Sequence, residues 1–280
     1  VARFIALTCE ALARSVYAAA ATSPHTVTTR FFRQGLHNTP KVLRNTLQDE
    51  VDAIQPGECD AILLAYGLCG TSTARIMARH TPIVMPRAHD CITLYLGSRA
   101  RYQEEFDRHP GTYWYSTDYM ERQEPGAAVA LGAAGIGEEE AQYDAWVAKW
   151  GTETADLLRE EMQRWAKHYT RAAFIDTGLG DMDSYEAKAQ QKATAEGWVY
   201  ERLPGNRRLI TELIHGNWPE DEYLLVPPGF AIRQSADEGV VECVPVAELE
   251  VQPAAAPMGD AAARRAARKR RREAQTEAGV

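Results

Sequence analysis

The sequence has no apolar run approaching the roughly 20 residues that cross a bilayer, so no membrane-spanning helix is expected. It has no C-x-x-C and no H-x-x-x-H pair, which removes the zinc-finger and zincin readings. It also lacks G-x-G-x-x-G, a P-loop lysine and any internal repeat of fixed period. Nucleotide fingerprints and solenoid architectures are therefore not supported. Cysteine is scarce, with five in 280 residues, at positions 9, 59, 69, 91 and 243. So odd and sparse a set argues against a disulfide framework and leaves free thiols, metal ligands or nucleophiles. The formal charge of −8 makes sequence-independent nucleic-acid binding by the body unlikely to arise from the fold itself.

Past Gln252 that balance reverses. The segment 252–280 carries seven basic and three acidic residues, and its run RRAARKRRRE has no apolar face to bury. A disordered Ala/Arg-rich tail is expected there, able to contact an acidic partner or RNA. At the other end, a basic residue precedes an apolar stretch in the manner of a leader. Cys9, Glu10 and Arg14 interrupt it, however, and ARFIALTCE fits a buried first strand better. A cytoplasmic location is therefore expected.

What is present is α/β alternation. Arg3 to Leu7 reads as a strand, Ala11 to Ala21 as a helix closed by Ser23-Pro24, and Val27 to Phe32 as a second strand. Thr39-Pro40 opens a helix whose stripe is Val42, Leu43, Leu47, Val51 and Ile54. Ala61 to Ala65 and Ile83 to Met85 are short apolar strands joined by about a dozen helix-compatible residues, a βαβ unit. Ile92 to Phe106 reads as helical, HPGTYWYSTDYMERQEPG as turn-prone, and 127–137 as a loop. Glu138 to His168 is again helical, with Tyr143, Trp146, Trp150, Leu157, Leu158, Met162 and Trp165 supplying core-packing faces. The alternation resumes with strands at Arg171 to Ile175, Trp198 to Leu203 and Tyr223 to Val226, and helices at Tyr185 to Glu196 and Asn206 to His215. Val240 to Val251 adds a hairpin or edge strand. The expectation is one α/β domain over 1–251, with a doubly wound, mainly parallel, Rossmann- or flavodoxin-like sheet and a helical insertion at about 97–170.

In such sheets ligands sit beyond the carboxyl ends of the strands. Cys9 follows the first strand, Cys69 the third, and Cys91 lies just beyond the fourth. Thiolates gathered there suit a soft or borderline metal, zinc first, and three protein ligands with an open fourth position is the catalytic pattern. His89, Glu10 and Asp90 are candidate further ligands or catalytic partners. The bland reading is that each cysteine is a small buried hydrophobe. Cys59 and Cys243 are read that way.

Arg87 could hold an anion or simply an acidic side chain. Asp176 and Thr177, in DTGLGD, could border a cofactor, although a plain turn explains Gly178 and Gly180. Tyr66, at the end of the third strand, is core or cofactor contact. The aromatic segment Tyr113 to Tyr115, with Tyr119, either packs internally or docks a flat cofactor or a partner. Gly70 after Cys69 permits an exposed nucleophile served by His89, a hydrolase reading that lacks the G-x-C-x-G context.

The blocks LTCEAL, CDAILLAYGLCG, TPIVMPRAHDCITLYLGSRARY, HPGTYWYS, HYTRAAFIDTGLGD and LLVPPG resemble the family catalogued as domain of unknown function 1638, over about residues 2–232. Cys9, Glu10, Cys69, His89 and Cys91 match its motif positions. Members tend to be encoded near corrinoid-dependent methyltransferases, corrinoid proteins and their reactivases. The resemblance thus implies one-carbon metabolism, with methyl transfer between a small-molecule donor or acceptor and a thiol or corrinoid protein. A thiolate-ligated zinc suits that chemistry, because it keeps a thiolate reactive at neutral pH. The sequence has no D-x-H-x-x-G signature, so the corrinoid would be carried by a partner, a corrinoid protein or corrinoid-dependent methyltransferase. The alternative is a non-catalytic accessory protein that binds or maintains such a system.

Overall fold

The first strand, β1 (Arg3–Cys9), is buried at every position but its first. A strand between parallel neighbours is covered on both faces and needs a continuous apolar run, which RFIALTC supplies. Its neighbours are β2 (Thr26–Phe32) and β3 (Ala61–Ala65), both parallel to it. The crossovers are α1 (Ala13–Thr22) and α2 (Pro40–Ala53), the latter with proline in its first turn as the sequence predicts. The structure is a computed structural model and describes residues 1–122, 139–166 and 168–249. The loop expected at 127–137 and the basic tail at 252–280 lie outside these.

β4 (Ile83–Pro86) runs parallel to β3. No helix joins them: the segment between is irregular, with left-handed backbone at Cys69, Gly70, Thr71 and Arg75. The expected βαβ helix fails because GLCGTST offers two glycines and three β-branched or hydroxyl residues in succession, all poor helix formers.

After β4 come α3 (Cys91–Leu96) and α4 (Arg99–Arg108), where the sequence suggests one helix. Gly97, left-handed at φ 72°, ends the first. Next is β5 (Thr112–Ser116), followed directly by α5 (Thr117–Glu121). The turn-prone reading of this aromatic stretch is corrected: TYWYS is a strand buried along its whole length. One β-branched residue followed by three aromatics favours such a strand over the flanking turn signals.

The described part of the helical insertion is α6 (Glu139–Trp150) and α7 (Thr152–Ala166). The core-packing reading fails at two of its residues, since Trp150 is 49% and Leu157 63% exposed. Lys149 stacks on the Trp150 ring at 4.5 Å and Arg159 on Tyr143 at 3.4 Å, so a cation lies over each of these two rings. Met162 and Trp165 have side chains outside the described set.

The resumed alternation does not extend the first sheet. β6 (Arg171–Asp176) pairs in parallel with β5 and with β7 (Val199–Pro204), and α8 (Met182–Glu196) connects β6 to β7. The three strands form a second parallel sheet, ordered β5-β6-β7. Its alternate residues serve two cores: Trp114, Ala173 and Ile175 join the main one, while Tyr113, Tyr115, Ala172 and Phe174 pack with Ala189 and Ala193 of α8. That division follows from the period of two along a strand.

From β7 the chain enters α9 (Arg208–His215), which lies along α1 and buries Leu209, Ile210, Leu213 and Ile214. β8 (Tyr223–Val226) then adds antiparallel to β4, completing the order β2-β1-β3-β4-β8. β9 (Phe230–Gln234) and β10 (Val241–Pro245) form a two-stranded sheet. The fold is thus α/β with a mainly parallel central sheet, whose β2-β1-β3-β4 order is that of flavodoxin-like proteins. Residues Val1–Val244 form one compact unit; of the other, Pro245–Val280, the described part includes a short helix, α10 (Val246–Leu249). No described helix is long and apolar enough to cross a membrane.

Candidate functional site

The switch point of this strand order lies between β1 and β3. Their last register pair is Thr8 with Ala65, so Cys9 and Tyr66 come level one residue further on. Two post-strand segments then run side by side: the Leu68 N–H donates to the Ala88 carbonyl at 2.8 Å and the Cys69 N–H to the His89 carbonyl at 2.9 Å. Gly67 permits the approach, because a Cβ there would lie 2.7 Å from the Asp90 Cα. The pairing draws Cys69 towards Cys91.

Each cysteine is set by its own device. Cys9 ends β1 and is buried. Cys69 has φ 45°, followed by Gly70 at 61° and Thr71 at 77°. A β-branched residue held there costs on the order of 1–3 kcal/mol, and such strain clusters at functional sites. The loop is held by the Ser72 hydroxyl on the Cys69 carbonyl (2.8 Å), by Thr73 on the Gly67 carbonyl (3.2 Å) and by Arg44 on the Thr71 carbonyl (2.8 Å). Beyond it, the Arg75 and Ala78 N–H groups donate to the Ile232 and Phe230 carbonyls. Cys91 opens α3, and Asp90 caps that helix through the N–H groups of Ile92 (3.0 Å) and Thr93 (3.2 Å).

Cys9 and Cys69 are neighbours of Cys91. Side-chain hydrogen bonds to Cys69 and Cys9, then burial, then the charges of the same two neighbours push the Cys91 thiol well above its usual range. All five cysteines are free. As they stand, among the described residues, no three His, Cys, Asp or Glu side chains form a ready metal-coordination set.

Three phenols sense this cluster. The Tyr66 side chain is 1% exposed; burial and then the charges of Cys9, Cys69, Cys91 and Glu10 raise its pKa well above the usual value. Its hydroxyl has no hydrogen-bond partner. The Tyr95 hydroxyl donates to the Ala11 carbonyl, and Tyr119, on α5, has Gln34 as a polar neighbour that lowers its pKa. Both also feel the charges of Cys9 and Cys91, and in both burial is the main cause of a raised pKa. Tyr95, Gln34 and Gly67 escape sequence reasoning, while Tyr119 is read there only as part of the aromatic segment. Only the adjacency of Gly67 to the YGLCG motif could have pointed to one of them.

The remaining candidates separate from the thiols. Asp90 is engaged as the α3 cap and also accepts the Tyr102 hydroxyl at 3.2 Å; burial nevertheless keeps its pKa raised. His89 is exposed, its ring 6.5 Å from that of Tyr102. Glu10 is half-buried in the turn after Cys9 and reaches the cluster through its charge on Tyr66. The Arg87 guanidinium is turned to the backbone, donating to the carbonyls of Glu220, Tyr223, Gly239 and Val241. Cys59 is buried before β3 and Cys243 lies in β10. The docking alternative for the aromatic segment is corrected, since Tyr113, Trp114, Tyr115 and Tyr119 are all buried.

Asp176 and Thr177 stand at the end of β6, on a cleft of about 770 Å³ bordered also by Asn206, Arg207 and Thr22. Burial works against the charge of Asp176, yet Arg202 at 2.7 Å and the Gly178 N–H at 2.8 Å hold its pKa below the usual carboxylate value. This cleft is bordered by none of the three thiols.

Fold and site together define an α/β protein of flavodoxin-like strand order with a thiol cluster at its switch point. The chain belongs to the family described as Protein of unknown function (DUF1638), whose model matches residues 31–214. The match takes in Cys69, His89 and Cys91 and leaves out Cys9 and Glu10, so it is narrower than the motif resemblance at about 2–232. No curated protein and no solved structure matches the chain.

Proposed function

We propose that Cys9, Cys69 and Cys91 take up a soft divalent metal, zinc first, and that the protein serves corrinoid-linked methyl transfer in the cytoplasm. The observation that supports the reading is the placement of three free thiols after β1, after β3 and just beyond β4, at the carboxyl ends of neighbouring parallel strands. Sulfur donors favour zinc over hard cations, and three of them leave one position for a substrate. Binding would replace the thiol protons by metal–sulfur bonds and release those protons to solvent. When bound, the metal supplies Lewis acidity that holds a thiolate reactive at neutral pH.

The chain's own residues do the rest. Gly67 and the Leu68–Ala88 and Cys69–His89 hydrogen bonds set the spacing of Cys69 from Cys91, and Asp90 orients Cys91 through the helix cap. Buried Tyr66, Tyr95 and Tyr119 wall the cluster, while Cys69 and Cys91 stay partly open to an entering group. The corrinoid and the methyl donor or acceptor are assigned to partners by the family resemblance alone. The test is incubation of the zinc-loaded protein with a methylated corrinoid protein and a small thiol, read as methyl thioether by mass spectrometry. Product that Cys91→Ser abolishes is expected; no product, or undiminished product from the variant, sinks the methyl-transfer reading. Co-purification with a corrinoid protein that survives loss of all three cysteines would favour the accessory alternative.

A further inference from the structure

The second parallel sheet has a recess of its own at the carboxyl ends of its strands. It is the cleft of about 770 Å³ framed by the ends of β6 and β7, the first turns of α9, and the small residues Ala18 and Ala19 of α1. The two strand ends are drawn together there. The Gly205 N–H donates to the Asp176 carbonyl at 2.6 Å, and a Cβ on Gly205 would lie 2.6 Å from that same oxygen. Strand carboxyl ends are where α/β folds receive ligands. The volume falls in the range of about 300–1,000 Å³ that takes a small organic molecule and not merely a bare ion.

The charges around the cleft are sorted. Asp176 is held by Arg202 at 2.7 Å and by the Gly178 N–H at 2.8 Å, and Glu212 is held by Arg208 at 2.9 Å. Both carboxylates are thus matched, and Arg207 is left over. It is half-buried on the cleft wall, and among the described residues its guanidinium has neither an ion pair nor a hydrogen bond. Beside it, the Asn206 side chain takes the Arg208 N–H at 2.9 Å, while Arg207 gives α9 no side-chain cap. The next amides of that helix start are therefore open to an acceptor. Thr177 supplies an independent sign. It borders the cleft, is only 6% exposed, and its hydroxyl has no partner among the described residues. Nor is that hydroxyl one of the unpartnered oxygens sealed inside the core, so an entering group can reach it. A polar group so nearly buried is seldom left unpaired.

We propose that this cleft binds the phosphate monoester of a small polyhydroxylated molecule, with the phosphoryl oxygens held by the Arg207 guanidinium, the Thr177 hydroxyl and the uncapped amides of α9. A guanidinium matches the oxygens of a phosphate in pairs, and the start of a helix favours negative charge. The rest of the wall suits hydroxyl groups. Asn206, Thr211 and the carboxylates of Asp176 and Glu212 are there, and among the described residues no aromatic side chain borders the cleft to stack on a base. A sugar phosphate therefore fits better than a nucleotide. The site is separate from the thiols, none of which borders it.

Calorimetric titration of the full chain tests this, with ribose 5-phosphate, ribose and inorganic phosphate as probes at low ionic strength, where charge is least screened. Wild type should bind ribose 5-phosphate most tightly, inorganic phosphate more weakly, and ribose not at all. Arg207→Gln should weaken the ester by roughly ten- to a hundredfold, the worth of hydrogen bonds to a charged acceptor, and Thr177→Val by about tenfold. Because neither side chain has a polar partner in the protein, both variants should melt close to wild type. Ribose binding as tightly as its phosphate, an affinity unchanged in both variants, or no heat from either anion overturns the proposal. Inorganic phosphate binding with the ester excluded overturns the assignment of an ester. Loss of fold in Arg207→Gln also overturns it, by showing that the guanidinium already has a partner. Each of these failures leaves the reading of the thiols standing.

Discussion

Gly67→Ala is the sharpest probe of how the thiols are brought together. The new Cβ would stand 2.7 Å from both the Cα and N of Asp90 and 3.0 Å from its carbonyl carbon. These are backbone atoms, so no side chain can swing aside. Either the segment carrying Asp90 moves or the one carrying Cys69 does. Overpacking of this kind costs about 1–3 kcal/mol. Displacement also weakens the Leu68–Ala88 and Cys69–His89 hydrogen bonds, each worth about 1 kcal/mol net. A total near 2–4 kcal/mol is expected, which for a unit of this size lowers Tm by roughly 4–16 °C. Gly67 is not among the residues with positive φ, so the cost measures contact and not backbone conformation. Urea unfolding gives the stability, and a thiol reagent added to the folded protein reports whether Cys69 and Cys91 separate. A change within about 0.5 kcal/mol, with thiol reactivity unaltered, would refute the close-approach argument.

Three further outcomes are expected. Asp118, on α5, is fully buried and accepts the N–H groups of Arg14 (3.1 Å) and Ser15 (3.4 Å), and burial above all pushes its pKa up to about 6. The folded state therefore binds a proton more tightly than the unfolded one. Its stability contribution is complete below about pH 4 and is lost as pH rises through 6, by at most about 3 kcal/mol. Asp118→Asn should flatten this part of the pH profile in urea titrations from pH 4 to 7; parallel profiles would contradict the assignment. Arg87→Ala removes donors to four backbone carbonyls and should lower stability by about 1–3 kcal/mol in thermal melts, leaving metal content unchanged. A fall in metal content without loss of stability would return Arg87 to the site. Trp114→Ala, in buried β5, should cost about 3–5 kcal/mol in denaturant unfolding, and a neutral result would restore the surface reading of that segment.

The first half of the sheet is legible from residue to residue. RFIALTC and AILLA are continuous apolar runs, and the stripe from Leu43 to Val51 has helical spacing, so β1, α1, β2, α2 and β3 fall near their expected places. Where long-range packing overrides local signals, the reading breaks. TYWYS sits among Gly, Pro, Asp and Ser and resembles a turn, yet it gains β6 as a neighbour some sixty residues later, Thr112 pairing with Arg171. Arg87 looks like an anion site because its acceptors are carbonyls 133 to 154 residues away. The thiols could be placed at strand ends because strand boundaries are local features. Tyr95 and Gln34, near the thiols, arrive from other elements and leave no spacing to read, and Tyr119 shows only as one member of an aromatic run.

The central claim is that these three thiols hold one metal, and metal content by mass spectrometry tests it most directly. The full chain, purified without chelator or affinity metal, should carry about one zinc per chain, and Cys9→Ser, Cys69→Ser and Cys91→Ser should each lose most of it while remaining folded. Wild-type protein without stoichiometric metal, or a folded Cys91→Ser variant that retains it, would contradict the account.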